Sequence, residues 1–209
     1  LVFGGSWGSS LALAYGIEHT ERVSGFILRG VFLCSQKELE WFLDGIKAVF
    51  PENWREFSEF LPAEERADLL GFYHKRLVDP DHQIHEPAAR MWARFEGACS
   101  TLLPSSRSVS ELDSGRASLA LARIEAHYFV NDLYLSDDYF IDNIDRIRHL
   151  PGTIVQGRYD MVCPIGTADA LAKELPEMNY VVVPDAGHSA MEPAMRSALV
   201  AATERFKMR

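Results

Sequence analysis

The sequence has 209 residues, of which 47% are hydrophobic and 24% are charged, and its formal net charge is −9. This composition is typical of a globular protein with enough apolar side chains for a sizeable core. The negative charge argues against nucleic acid and anionic membranes as partners, and no apolar run is long enough to span a bilayer. Cys34, Cys99 and Cys163 form no CxxC pair, so we expect no disulfide framework and a cytoplasmic location.

The first ten residues predict a strand, a tight turn and a helix. Residues 1–3 are apolar, as at the end of a buried strand, and a helical pattern follows from Leu11. Between them, Gly4-Gly5-Ser6-Trp7-Gly8 matches the Gly-x-Ser-x-Gly sequence of a nucleophile elbow. We expect glycine at positions 4 and 8 because side chains there would collide with the strand or the helix. Ser6 is therefore a candidate nucleophile; the alternative is a Gly/Ser-rich turn that only begins a helix.

The position of this elbow leads to an expectation about the chain itself. In a doubly wound sheet, several strands normally precede such an elbow. We therefore expect the chain to be the C-terminal part of a longer protein, with the N-terminal strands of the sheet absent from it. The remaining sheet would have an uncovered edge, so we expect this fragment alone to have little or no activity.

Three further apolar runs predict the rest of the sheet. The runs at 23–30, 153–157 and 179–184 are short and mostly apolar, which is typical of parallel strands buried on both faces. Helical patterns at 166–175 and 193–206 alternate with the last two strands. This alternation favours right-handed crossovers between parallel strands, and the sequence therefore predicts an α/β fold.

The interval between the second and third predicted strands has a helical pattern throughout. Predicted helices cover 37–50, 62–77, 87–99 and 118–128, with a loop at 104–108. A helical block inserted between two core strands is typical of a cap. We predict a core at 1–34 and 149–209 and a helical cap at 35–148.

Two titratable residues follow predicted strands directly. Asp160 lies on the loop after the strand at 153–157, and His188 lies on the loop after the strand at 179–184. Because the carboxyl ends of parallel strands share one edge, we expect both side chains near Ser6. The chain order Ser–Asp–His is that of α/β-hydrolases. Asp185 is a second candidate for the carboxylate.

Each member of this candidate triad has a role in acyl transfer. Ser6 would be the nucleophile, His188 the general base and then the acid, and Asp160 the group that orients the imidazole. The backbone N–H of Trp7 would supply one oxyanion donor, and we expect the other from upstream of the chain. Cys163 follows Asp160 by three residues, so we expect it to line the pocket and not to act as a nucleophile.

Carboxylates in the predicted cap are candidates for substrate recognition. Glu96 and Glu125 each lie on or beside an apolar helical stripe, and a carboxylate that faces a core needs a cation or donor. Two converging carboxylates would suit a substrate ammonium group. The periodicity alone favours the alternative that both are surface glutamates beside Arg94 and Arg123.

A second polar group in the cap has the composition of a metal site. His82, His85 and Glu86 are close together in the sequence, but they are more simply explained by a polar loop between helices. We therefore expect no metal and no cofactor.

Several segments of the sequence resemble the proline iminopeptidases, which are serine peptidases of the α/β-hydrolase fold. The resemblance covers essentially the whole chain and is carried by the elbow and by the segments at 29–32, 38–42, 122–129, 156–164 and 186–189. Its most specific parts are Arg123-Ile124-Glu125 and Gly157-Arg158-Tyr159-Asp160. The His-Gly-Gly-Pro-Gly oxyanion loop of that family has no counterpart in this sequence.

The resemblance implies roles for the cap glutamates and for an apolar pocket. Two glutamates of that family bind the free amine of an N-terminal proline, and they match Glu125 and, less closely, Glu96, which follows Phe95 where the family commonly has Trp. The positions that match its proline-ring pocket are Phe32, Val162 and Cys163.

The sequence thus predicts a serine aminopeptidase that releases N-terminal proline from peptides through an acyl-enzyme. The alternatives are another α/β-hydrolase with esterase or amidase activity, or an inactive truncated fragment of the aminopeptidase. The natural peptides and the oligomeric state stay open at this level.

Overall fold

The computed structural model describes residues 1–103 and 115–207. The loop predicted at 104–108 lies outside the described residues. In chain order the helices and strands are β1 (Val2–Ser6), α1 (Trp7–Glu18), β2 (Phe26–Val31), α2 (Gln36–Leu43), α3 (Pro51–Glu59), α4 (Leu69–Leu77), α5 (His82–Cys99), α6 (Gly115–Val130), α7 (Tyr139–Asp142), β3 (Gly152–Gly157), α8 (Ile165–Glu174), β4 (Met178–Val183) and α9 (Pro193–Lys207).

These elements form two compact units. The sheet unit comprises the described residues of Leu1–Glu38, Ser100–Leu102 and Ser136–Arg209. The helical unit comprises those of Leu39–Cys99 and Leu103–Leu135. Its extent is shorter than the predicted cap at 35–148, because the chain from Ser136 onward packs with the sheet unit. In the described residues, none of the helices is both long enough and apolar enough to cross a membrane.

The sheet unit contains a parallel sheet, which confirms the predicted fold class. Its strands lie in the order β1-β2-β3-β4, and every neighbouring pair is parallel. Residues at the centre of the strands, such as Ile27, Leu28 and Ile154, are fully buried. For β2 and β3, burial on both faces explains why the strand appears in the sequence as a short apolar run and not as an alternating pattern.

Helices cover both faces of this sheet. On one face, Ile27, Val155 and Val183 form a core cluster with Met195 and Leu199 of α9. On the other face, α1 approaches β2 so closely that a Cβ added at Gly16 would lie 2.3 Å from Cζ of Phe26. The strand ends are therefore held by helices from both sides, which fixes the edge where the loops emerge.

The helical unit is built around a cluster of aromatic rings. Phe57 stacks on Tyr73 and on Phe95, with both centroid distances at 4.4 Å. Trp92 meets Phe57 and Tyr73 edge-on, at 5.7 and 5.6 Å. The Tyr73 hydroxyl donates to the Phe57 carbonyl at 2.7 Å, so its one polar group is satisfied. This packing explains the aromatic stripe at 91–95 that the periodicity places on one helix face.

Several predicted helices have wrong boundaries. The helix predicted at 37–50 ends at Leu43 and is followed by a separate 3-10 turn at Gly45–Ala48. The helix predicted at 62–77 begins as a 3-10 turn at Ala63–Asp68. The side chain of Asp68 accepts from the N–H of Gly71 and so caps a new helix, α4.

The polar loop predicted around His82 is also wrong. Helix α5 begins at His82 and not at Pro87, which lies inside the helix. Asp81 caps it, because its carboxylate accepts from the N–H of Gln83 at 2.9 Å. Pro87 is the sixth residue of this helix, so the helix lacks the bond that a residue with an N–H at this position would donate to the Gln83 carbonyl.

The turn at Ser6 has the geometry of a nucleophile elbow. Ser6 has φ 56° and ψ −127°, a strained conformation for a residue with a side chain, and α1 begins at Trp7. A Cβ added at Gly4 would lie 2.0 Å from the carbonyl oxygen of Gly8. Glycine at position 4 is therefore required by close contact. The same expectation for Gly8 is wrong within the described residues, where an added Cβ meets no atom within 4 Å.

This difference predicts unequal effects of two similar substitutions. Gly4→Ala should destabilise the full-length protein by about 1–3 kcal/mol, because the new methyl overlaps the turn. Gly8→Ala should be neutral or stabilise by up to about 1 kcal/mol, because it replaces a glycine in the first turn of a helix. Urea unfolding of both variants gives the comparison. Equal losses from the two would contradict this account of the elbow.

Candidate active site

The sheet unit places the three candidate residues after the ends of its strands. Ser6 ends β1, Asp160 follows the end of β3 at Gly157, and His188 follows the end of β4 at Val183. Since the strands are parallel, these loops leave the same edge of the sheet. Asp185, the alternative carboxylate, is exposed.

The side chains of His188 and Asp160 form a buried hydrogen-bonded pair. Nδ1 of His188 lies 2.9 Å from Oδ2 and 3.1 Å from Oδ1 of Asp160, and the two side chains are 7% and 0% exposed. Because a carboxylate is an acceptor, Nδ1 carries the proton in this arrangement and Nε2 keeps its lone pair. That tautomer is the one a general base requires.

The Asp160 carboxylate is held by three more donors. Oδ1 accepts from the N–H groups of Val162 and Cys163, at 3.1 and 2.8 Å. Oδ2 accepts from Nε2 of Gln156 at 3.0 Å. Gln156 is itself fully buried, and its Oε1 accepts from the N–H of Val31 at 3.1 Å. The amide of Gln156 thereby ties the end of β2 to the carboxylate, a role that sequence analysis missed.

The His188–Asp160 pair needs a glycine at the end of β2. Gly30 has φ 53°, and a Cβ added there would lie 2.9 Å from Cε1 of His188 and 3.2 Å from Oδ2 of Asp160. Gly157 has a similar role between the two loops, since its Cβ would lie 2.0 Å from the carbonyl oxygen of Gly187. Both positions leave room for the loops to meet.

Ser6 and His188 have other partners in this structure. The Ser6 hydroxyl lies near the Cys163 thiol. Nη1 of Arg29 lies 2.9 Å from Nε2 of His188 and donates to the His188 carbonyl at 3.0 Å. Within the described residues, the structure joins His188 to Asp160 but does not join Ser6 to His188 by a hydrogen bond. Arg29 is a second residue that sequence analysis missed, although an arginine in a buried strand is a signal for a polar partner.

Two buried serines of α1 support the elbow. The Ser9 hydroxyl donates to the Ser6 carbonyl at 2.7 Å and accepts from the N–H of Phe32 at 3.0 Å. The Ser10 hydroxyl donates to the Phe32 carbonyl at 2.7 Å. These bonds fix the backbone of Phe32, a predicted pocket residue, against the turn. Trp7 begins α1, so its N–H is among those that make no bond within the helix.

The other two predicted pocket residues lie beside Asp160. Val162 is partly buried and Cys163 is buried. Burial raises the pKa of the Cys163 thiol well above its usual value, and the nearby Asp160 charge adds to this. A thiol of this kind is a poor nucleophile, because the thiolate is the reactive form.

The helical unit brings Glu96 and Glu125 together. The two carboxyl groups lie close enough to interact, and Oε2 of Glu125 accepts from Nε1 of Trp92 at 2.8 Å. Burial and then the charge of Glu96 raise the pKa of Glu125 well above its ordinary value. A proton shared between the two carboxyls accounts for this arrangement.

The arginines beside these glutamates have partners elsewhere. Arg94 pairs with Glu56 at 3.0 Å, and Nε of Arg123 donates to the Leu77 carbonyl. In the described residues, no group of three or more His, Cys, Asp and Glu side chains is arranged to hold a metal ion. Of the residues at the start of α5, His85 contacts the Asp79 carbonyl and Glu86 pairs with Arg90.

Comparison with known proteins gives the family of the chain. Residues 1–194 match a family described as the alpha/beta hydrolase fold. The chain belongs to the α/β hydrolase family. Among solved structures, an esterase from Exiguobacterium antarcticum superimposes with a TM-score of 0.61 at 16% identity, covering 98% of this chain and 65% of that one. At this identity the similarity supports the hydrolase fold alone.

Curated relatives of this hydrolase have a more specific name and confirm the resemblance. A proline iminopeptidase of Arabidopsis thaliana is 48% identical over 99% of this chain and 55% of its own length. One from Xylella fastidiosa is 42% identical over 98% of this chain and 66% of its own length. The chain therefore spans between about half and two thirds of the length of the curated relatives it matches.

The glutamate pair of this hydrolase predicts a pH-dependent cost to stability. A raised folded pKa means that the stability from the protonated form is present below the unfolded pKa and lost as the pH rises through the folded pKa. Glu125→Gln should therefore stabilise the protein at pH 8 by about 1–2 kcal/mol, the scale of an uncompensated buried polar group. The gain should vanish below about pH 4, where glutamate is protonated in both states.

Denaturant unfolding at both pH values measures this effect. Glu59→Gln is the matched control, because Glu59 is an exposed glutamate of the same unit. It should show no gain at either pH. A Glu125→Gln protein that is less stable than the wild type at pH 8 would show that the pair does not carry the cost described.

Proposed function

We propose that the protein is a serine aminopeptidase that releases N-terminal proline from peptides through an acyl-enzyme. The observation that carries the proposal is the close pairing of the Glu96 and Glu125 carboxyl groups, which are partly buried beside Trp92. The buried pair of His188 and Asp160 supports the hydrolase chemistry. The name of the curated relatives supports the choice of proline.

The acylation step in this proposal uses the sheet unit. Ser6 Oγ attacks the carbonyl carbon of the N-terminal residue, and its proton passes to Nε2 of His188. Asp160 stabilises the resulting imidazolium through Nδ1. The C–N bond then breaks as the imidazolium returns the proton to the departing amine. For the first transfer, Nε2 must exchange its contact with Arg29 for one with Ser6.

The deacylation step repeats this sequence with water. Water attacks the acyl-enzyme carbonyl while His188 accepts its proton, and the ester bond to Ser6 breaks as the proton returns to Oγ. The N–H of Trp7 is assigned to the developing oxyanion in both steps, because it directly follows the nucleophile. The products are free proline and the shortened peptide.

The glutamate pair is assigned to the substrate amine. The protonated amine of an N-terminal proline has two N–H groups, and one can be donated to each carboxylate. Binding displaces the proton that the pair shares to solvent, and the substrate cation takes over its role of balancing the charge repulsion between Glu96 and Glu125. A blocked amine offers no cation and leaves two desolvated carboxylates uncompensated, which rejects it. The need for a free amine restricts the reaction to the N-terminus of a peptide, as in an exopeptidase.

The proline ring is assigned to Phe32, Val162 and Cys163. All three belong to the sheet unit, and the backbone of Phe32 is fixed to the elbow through Ser9 and Ser10. An apolar pocket beside the nucleophile would favour a ring without polar groups.

Hydrolysis of a chromogenic prolyl amide and of its N-acylated form tests this proposal in the full-length protein. Only the free-amine substrate should be hydrolysed, because it alone supplies the cation. Ser6→Ala should lower that rate by at least about 10⁴-fold, as expected for loss of a nucleophile. Equal hydrolysis of both substrates would contradict the assignment of the glutamates and the function proposed.

A second arm of the same experiment tests the amine site alone. Glu125→Gln should lower kcat/KM for the prolyl amide about 100-fold, the effect of removing one partner of a buried charge pair. Hydrolysis of a neutral activated ester should stay within about twofold, because the ester does not need that pair. Glu59→Gln is the control for both substrates.

A further inference from the structure

The loop that carries His188 is held by a short segment from elsewhere in the chain. The carbonyl of Ser100 accepts from the N–H groups of His188 and Ser189, at 2.9 and 2.8 Å. Residues 100–102 belong to the sheet unit, although the residues on either side of them belong to the helical unit. We call residues 100–102 the strap.

The side chain of Glu192 joins the same loop to the strap. Its Oε2 accepts from the N–H of Gly187 at 2.7 Å, and its Oε1 accepts from the N–H of Leu102 at 2.9 Å. Together with Ser100, this carboxylate engages the backbone N–H groups of three successive residues, 187–189. The peptide planes on both sides of His188 are therefore fixed.

The backbone of Glu192 is itself anchored. Its N–H donates to the Ser189 carbonyl at 3.2 Å, and its carbonyl accepts from the N–H of Arg196 in α9 at 2.9 Å. The contact between loop and strap is close, since a Cβ added at Gly187 would lie 3.0 Å from the nitrogen of Leu102. Because the backbone of Glu192 is anchored in this way, its carboxylate has little freedom to move. The two N–H groups that it binds are therefore held in place.

We propose that Glu192 is a positioning residue that sets the orientation of the His188 imidazole by joining its loop to the strap. The inference rests on the proposed function, because it needs His188 to act as the base. Glutamate suits this role better than glutamine. A carboxylate offers an acceptor oxygen to each of two N–H groups, whereas an amide offers only one.

The test compares Glu192→Gln and Glu192→Ala in the full-length protein, with a prolyl amide and a neutral activated ester as substrates. Glu204→Gln is the matched control, because Glu204 lies on α9, the helix that directly follows Glu192, and is exposed and pairs with Lys207. We expect kcat to fall about 10-fold in the Gln variant and about 100-fold in the Ala variant, the scale of a misplaced catalytic group. The loss should be the same for both substrates, with KM for the amide within about twofold.

Hydrogen exchange gives a readout that does not depend on substrate. The amides of Gly187 and Leu102 should exchange faster in both Glu192 variants and at the wild-type rate in Glu204→Gln. If those two amides exchange faster while kcat stays at the wild-type value, the positioning role is wrong. A change in KM alone would also overturn it. If the Ala variant fails to fold, the Gln variant decides by the same criteria.

The two substrates separate this proposal from the proposed function. A wild-type protein that hydrolyses the ester but not the prolyl amide contradicts the aminopeptidase, and the ester rates then test Glu192 by themselves. A wild-type protein that hydrolyses neither substrate overturns both proposals.

Discussion

The hydrogen bond between His188 and Asp160 is the interaction on which the rest of the sheet unit depends. It joins loops from two neighbouring strands, and each loop is shaped to permit it. Gly30 and Gly157 leave out side chains that would occupy the space where the loops meet. The buried amide of Gln156 donates to the Asp160 carboxylate and accepts from the N–H of Val31 at the end of β2. The arrangement sets one tautomer of the imidazole, which is the condition for any base chemistry at this edge of the sheet.

The helical unit contains one cluster that stabilises it and one pair of residues that destabilises it. The cluster of aromatic rings around Phe57 and Trp92 stabilises the unit, whereas Glu96 and Glu125 oppose each other within it. Replacement of the two carboxyls by neutral groups would favour folding. A pair that costs stability without a ligand is typical of a binding site, because the binding of a cation removes the cost.

The sheet could be predicted from sequence with small errors at its ends. Central parallel strands are buried on both faces, so they leave short, mostly apolar runs such as the one around Ile154. The helical unit was less predictable, because its boundaries depend on single side chains. Asp68 and Asp81 cap helices by local hydrogen bonds. The apolar periodicity of the sequence continues through both positions and so does not indicate that a helix begins there.

Some features of the candidate site could likewise be predicted from sequence, and others could not. Asp160 and His188 could be predicted because topology alone brings the ends of parallel strands together. The contact of Arg29 with Nε2 of His188 and the bridge of Glu192 to the strap could not, because both join distant residues through side-chain geometry. The pairing of Glu96 with Glu125 depends on two helices, and periodicity alone favoured separate surface glutamates. Resemblance to a family was the signal that singled them out.

Labelling with a fluorophosphonate tests the central claim most directly, since this reagent reacts with a serine that a neighbouring base activates. The full-length protein would be treated with the reagent, digested and mapped by mass spectrometry. We predict a single adduct on Ser6 and its loss in a His188→Ala variant, because the imidazole must accept the hydroxyl proton. An adduct on another serine, or labelling of Ser6 that does not depend on His188, would contradict the account.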